Sequence, residues 1–172
     1  MIYPQNLESK IGFDIVRNTI AAHCENPLGK EKCNEMQFSS DFATIQTWLE
    51  QTNEYLSIRK SDNNFPNGPV YDLRQELSRI KVDGTFFTES ELFRLRKTLH
   101  SAAEICNFFN DDNSAKFPQL KSLADNLTPF PEILSLIDSV IDKFGNVKDN
   151  ASPELMRLRK QIANISGSVN SI

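Results

Sequence analysis

Ser152-Pro153-Glu154-Leu155-Met156-Arg157-Leu158-Arg159-Lys160-Gln161-Ile162-Ala163-Asn164-Ile165 is the stretch that decides the fold. Ser152 suits an N-cap, Pro153 the first helical position, and Glu154 the first turn, where a carboxylate complements the helix dipole. Apolar residues then recur at Leu155, Leu158, Ile162, Ile165, Val169 and Ile172. This alternating three-and-four spacing keeps one seam on one side of a helix. At about 1.5 Å per residue the run spans roughly 30 Å. Each Leu or Ile on the seam represents about 1.5–3 kcal/mol of burial that needs a partner surface. The pattern predicts a long helix that begins a structure completed elsewhere, with residues 1–150 as a helical domain and 151–172 as the start of that helix. A terminal helix packing on its own domain is the alternative.

Working back from this helix, the same periodicity dominates. Phe13, Val16, Ile20 and Cys24 mark a first helix with Leu7 and Ile11 as lead-in, and Pro27 opens a second running to about Met36. Ser40 or Asp41 caps a third, whose inward face reads Phe42, Ile45, Leu49, Thr52 and Leu56, widened by Trp48 and Tyr55. Residues 61–69, dense in Asn, Pro and Gly, read as a loop, and a short helix follows from about Leu73 to Ile80. Thr88-Glu89-Ser90-Glu91 is a capping box opening a long helix with Leu92, Leu95, Leu99, Ala102, Cys106 and Phe109 on one face. Asn110-Asp111-Asp112-Asn113-Ser114 ends it, and shorter helices are expected near 120–127 and 132–141. Gly145-Asn146-Val147-Lys148 alone suggests a turn or brief strand. The architecture this implies is all-α, an irregular helical bundle.

A length of 172 residues suffices for one domain with a core, and 39% hydrophobic with 24% charged residues is ordinary globular composition. The net charge of −4 argues against a dedicated nucleic-acid module. No apolar run reaches membrane-span length, and no signal peptide opens the chain, so the expectation is cytoplasmic with no membrane partner. Three irregularly spaced cysteines (Cys24, Cys33, Cys106) do not form a disulfide framework.

Catalytic sets are missing from the pattern. His23-Cys24 with Cys33 lacks a fourth zinc ligand and close ligand pairing, so both cysteines read as core residues. His100 stands alone on a helix, and no Gly-rich loop ends in Gly-Lys-Ser or Gly-Lys-Thr. We therefore expect no catalytic, cofactor-binding or metal-binding residue. Arg94, Arg96 and Lys97 read as a solvated face paired with Glu89 and Glu91. Arg157, Arg159 and Lys160, off the seam, are candidates for weak nucleic-acid contact, although three cations are few for a DNA binder. Phe86-Phe87 and Phe108-Phe109 read as core wedges.

Several segments in order carry a resemblance: Lys10-Ile11-Gly12-Phe13-Asp14, Asn26-Pro27-Leu28-Gly29-Lys30-Glu31, Gln51-Thr52-Asn53-Glu54, Tyr71-Asp72-Leu73-Arg74, and above all Asp142-Lys143-Phe144-Gly145-Asn146-Val147-Lys148-Asp149-Asn150-Ala151-Ser152-Pro153-Glu154-Leu155 with Arg157 and Arg159. Together they resemble the N-terminal region of the bacterial MutS-two family, MutS paralogues without the mismatch-reading domain. The resemblance implies a MutS core-type helical domain whose terminal helix becomes a lever, itself non-catalytic. In the family that core and lever couple a P-loop ATPase, which takes ATP and Mg, to a DNA-embracing clamp within a dimer. A C-terminal endonuclease domain usually follows. The implied function is suppression of recombination on branched or mismatched DNA, with a ribosome-rescue role as a family variant. The implied partners are the rest of the polypeptide (clamp and ATPase domains), DNA, a second copy, and the ribosome. On this reading Leu155, Leu158, Ile162 and Ile165 pack against a returning helix, Asp149, Ser152 and Pro153 set where the lever begins, and Arg74 makes an ion pair inside the core. A self-contained helical adaptor dimerising through the seam is the competing reading.

Overall fold

The structure, a computed structural model, describes residues 6–61, 65–109 and 112–169. Among the described residues it is all-α, with no strand and one isolated antiparallel bridge, Ile141 to Val147. The helices are α1 Leu7–Lys10, α2 Phe13–Ala22, α3 Pro27–Asn34, α4 Phe42–Lys60, α5 Arg74–Arg79, α6 Glu89–Phe108, α7 Asp112–Lys116, α8 Pro118–Ala124, α9 Pro131–Val140 and α10 Pro153–Val169. Close packing joins α1 to α2, α2 to α3, α4 to α8, α6 to α9, and α7 to α8.

Local chemistry explains most boundaries. Asn26 accepts from Gly29 N at 2.8 Å and caps α3, with Pro27 in the first turn, and Asp41 accepts from Thr44 N at 2.8 Å to cap α4. Thr88 and Glu91 form the reciprocal capping box of α6. The break between α6 and α8 is shorter than the sequence suggests, because Asp112, Asn113 and Ser114 already belong to α7. There Asn113 Nδ2 donates to Phe108 O at 2.9 Å, turning one helix into the next.

The core sits where α4, α6 and α8 meet. Ile58 is fully buried against Phe109, Phe117 and Ala124, with Phe65, Ile105, Phe108 and Leu120 around them. Phe65, Phe108 and Phe109 meet edge-to-face at centroid distances of 5.1–6.2 Å, the arrangement their ring quadrupoles favour. Phe108 and Phe109 are thus the wedges expected of them. Phe86 is not: it stands 77% exposed.

The face of α4 also differs from expectation. Phe42 is 78% exposed, Leu49, Thr52 and Leu56 are exposed too, and Trp48 and Tyr55 join them. The residues that seat α4 on α8 are instead Ile58 and Glu54, whose carboxylate accepts from Gln119 N (3.1 Å) and Leu120 N (2.8 Å). Those two N–H groups belong to the first turn of α8, where backbone donors lack intrahelical partners and a carboxylate is favoured. A partly buried pair of hydrogen bonds to Glu54 and one aliphatic anchor, Ile58, therefore set which face of α4 turns inward. In α2, likewise, Val16 and Ile20 are exposed while Arg17 is half-buried. Arg17 donates to Glu8 at 2.7 Å and to Met36 O at 3.0 Å, and stacks over the Phe13 ring.

Candidate functional site

The candidate site is the seat of α10. It begins at α9, where Arg96 Nε of α6 donates to Asp138 at 2.5 Å and Lys148 Nζ donates to the Asp138 carbonyl at 2.6 Å. The chain then folds back on itself: Lys148 N donates to Val140 O, and Asp142 N to Asn146 O, both at 2.9 Å. Asp142 organises the turn by accepting from Phe144 N and Asn146 N at 2.8 and 2.9 Å. These backbone bonds, that from Asn146 first, hold its carboxyl below the ordinary value. Gly145 has φ +92°, and a Cβ there would lie 3.0 Å from the Phe93 ring of α6. The turn needs glycine for its backbone and for its contact.

The turn hands the chain to α10. Ser152 Oγ accepts from Leu155 N at 3.1 Å, the expected cap, with Pro153 opening the helix and Glu154 in its first turn. Arg159 reaches back to ion-pair with Asp149 and to donate to Val147 O at 3.3 Å. Ser152 caps the start of α10, and Arg159 ties its second turn back to Asp149 and Val147.

Along α10, Leu155 is partly buried, whereas Leu158 is 43% and Ile162 63% exposed, and Ile165 is exposed as well. Val169 lies in the helix but its side chain, like Ile172, falls outside the described residues. Of the candidate cations, Arg159 is engaged at the helix start, Arg157 stands 4.0 Å from Glu154, and Lys160 is exposed. The structure thus brings the three onto one helix beside a seam that faces solvent at Leu158 and Ile162.

The other sequence-marked residues have structural partners. Arg94 pairs with Glu76 at 2.7 Å and Arg96 with Asp138, while Lys97 lies over the Phe93 ring. The two arginines tie α6 to α5 and α9, whereas Lys97 stays on α6 and Glu91 pairs with Arg79. That corrects the expectation of one self-paired face. Arg74 does make an ion pair, though at the surface and not inside the core. It donates to Glu31 at 2.8 and 3.2 Å and to Asp72 at 2.7 and 2.9 Å. Hydrogen bonds from Arg74 hold the Asp72 carboxyl down at about 2 and lower that of Glu31. His100 is exposed beside Glu104, as expected of a surface residue.

No group of three or more His, Cys, Asp or Glu is placed to hold a metal ion among the described residues. The positive-φ glycines there, Gly12, Gly84 and Gly145, stand at single turns followed by Phe13, Thr85 and Asn146. No described helix is long and apolar enough to cross a membrane.

No family model matches the chain. Curated relatives do. It is 33% identical over 154 residues to a protein named Endonuclease MutS2 from Alkaliphilus oremlandii, covering 87% of this chain and 19% of that protein. It is 31% identical over 152 residues to one from a Geobacillus species, with 87% and 19% covered. To one from Bacillus velezensis it is 27% identical over 167 residues, with 96% and 21% covered. The chain is thus similar along nearly all of its own length to proteins named Endonuclease MutS2, and spans about a fifth of theirs.

Proposed function

We propose that this chain is the N-terminal core and lever start of a MutS2-type protein, a non-catalytic part that couples a distant ATPase to a DNA-embracing clamp. The observation that carries the reading is the seam of α10, exposed at Leu158 and Ile162 although the helix start is fixed by Ser152 and by the Arg159–Asp149 pair. A helix capped at its start, with an apolar seam exposed at Leu158 and Ile162, suits a lever that packs on a returning helix. The match to about a fifth of each relative supports the same division of labour. On this reading the whole protein belongs to the MutS2 family, acts on branched DNA as an ATPase and endonuclease in the cytoplasm, and limits recombination. ATP and Mg then bind outside these residues.

The test is the coding sequence downstream of Ile172. Continued heptad helix and then a Gly-Lys-Ser or Gly-Lys-Thr phosphate loop are expected; a stop codon directly after Ile172 would sink the reading. The same exposed seam also suits a self-contained adaptor that dimerises. Sedimentation equilibrium distinguishes the two, because a tight dimer of this chain, lost on joint Leu158→Asp and Ile162→Asp substitution, supports the adaptor.

A further inference from the structure

Cys24 and Cys33 are nine residues apart in sequence, yet the turn between α2 and α3 brings their sulfurs to 3.5 Å. Both are free thiols. Cys24 follows the end of α2 and is partly exposed, whereas Cys33 is buried in the last turn of α3. The approach is built by two neighbours. Asn26 caps α3 through Gly29 N, and Gly29 sits against Cys24, where a Cβ would lie 3.4 Å from Cys24 Sγ. α3 is also held from its other side, where Glu31 pairs with Arg74. An unbonded sulfur pair this close needs only a shift of about 1.5 Å to reach bonding distance.

We infer that Cys24 and Cys33 are a reversible dithiol–disulfide site, oxidised by a peroxide, whose closure clamps α2 to α3. The more exposed Cys24 thiolate attacks the peroxide O–O bond, giving Cys24 sulfenic acid and, from hydrogen peroxide, water. The Cys33 sulfur then attacks the Cys24 sulfur and displaces the sulfenic oxygen as a second water. The net change is two thiols and one hydrogen peroxide to one disulfide and two waters. A dithiol reductant reverses it by thiol–disulfide exchange. Cys106 lies elsewhere, 4.0 Å from the Leu127 carbonyl, and takes no part.

The test treats the chain, and its Cys106→Ser variant, with hydrogen peroxide and maps peptides without reduction. A Cys24–Cys33 bridge with loss of two hydrogens is expected in both proteins, reversed by dithiothreitol. The oxidised form should melt roughly 5–10 °C higher, since a closed loop restricts the unfolded chain. Cys33→Ser should stop at a Cys24 sulfenic acid trapped by dimedone. A bridge to Cys106 or between chains, independent over-oxidation of each thiol, or an oxidised form that melts no higher would overturn the inference. Mapping of the unsubstituted chain keeps the test valid even if Cys33→Ser folds poorly.

Discussion

Arg159 on α10 is ion-paired with Asp149, ten residues earlier on the far side of the Ser152 cap. The guanidinium thus closes a loop around the start of the helix, and its second bond, to Val147 O, joins it to the turn that rests on α6. Exposed pairs contribute little on their own, about 0–1 kcal/mol. Arg159→Ala should therefore lower global stability by less than about 1 kcal/mol while loosening the first turns of α10. Faster amide exchange at residues 155–160 with an almost unchanged melting temperature checks this. An unchanged exchange rate would mean the pair does not seat the helix.

Gly145 should tolerate no side chain. Gly145→Ala combines a positive φ with contact against Phe93, so we expect a loss of about 1–3 kcal/mol in urea unfolding. The variant should also expose Phe93 and loosen the departure of α10. A neutral result would show that the turn is not anchored on α6.

Glu54 should behave as a helix cap supplied from a distant helix. Glu54→Ala removes the acceptor of two α8 donors and should cost about 0.5–2 kcal/mol, while Glu54→Gln should recover part of the loss. Full recovery in Glu54→Gln would point to packing, not capping by the carboxylate.

Ile58→Ala opens a cavity at the centre of the core and should cost about 2–5 kcal/mol. Leu49→Ala on the exposed stripe of the same helix should change stability by less than about 0.5 kcal/mol. Comparable losses would return the inward face to the Phe42–Leu56 stripe.

Acid should act on the Asp72–Arg74 pair. Asp72 titrates in the folded chain at about 2, below the ordinary 3.8, because Arg74 donates to it. A depressed carboxyl contributes stability that is fully present above pH about 4 and lost as pH falls towards about 2. Arg74→Gln should move the Asp72 titration, followed by carboxyl carbon NMR, up towards 3.8. A titration that stays near 2 would assign the shift to the backbone alone.

Much of this fold is legible because its signals are local. The Thr88/Glu91 box, the Asp41 and Ser152 caps, and Pro27 and Pro153 each act within four residues, so their helices start where the sequence says. The face of α4 is not legible. Apolar residues occur around much of that helix, and the choice rests on Glu54 meeting α8 from 65 residues away. Arg96–Asp138 and Arg74–Glu31 likewise bridge 42 and 43 residues, a pairing no spacing rule reaches. The Cys24–Cys33 approach depends on how α2 and α3 cross, so an odd cysteine count hides it. The α10 seam is the reverse case: its periodicity and its need for a partner surface are plain in sequence, and Leu158 and Ile162 stand 43% and 63% exposed in the fold.

Amide hydrogen exchange across residues 158–165 tests the central claim most directly, comparing this chain with a longer product of the same reading frame that includes the next helices. The lever account predicts rapid exchange here and marked slowing in the longer chain, as a returning helix covers Leu158 and Ile162. Equal exchange in the two, or full protection in this chain alone at concentrations where it is monomeric, would contradict it.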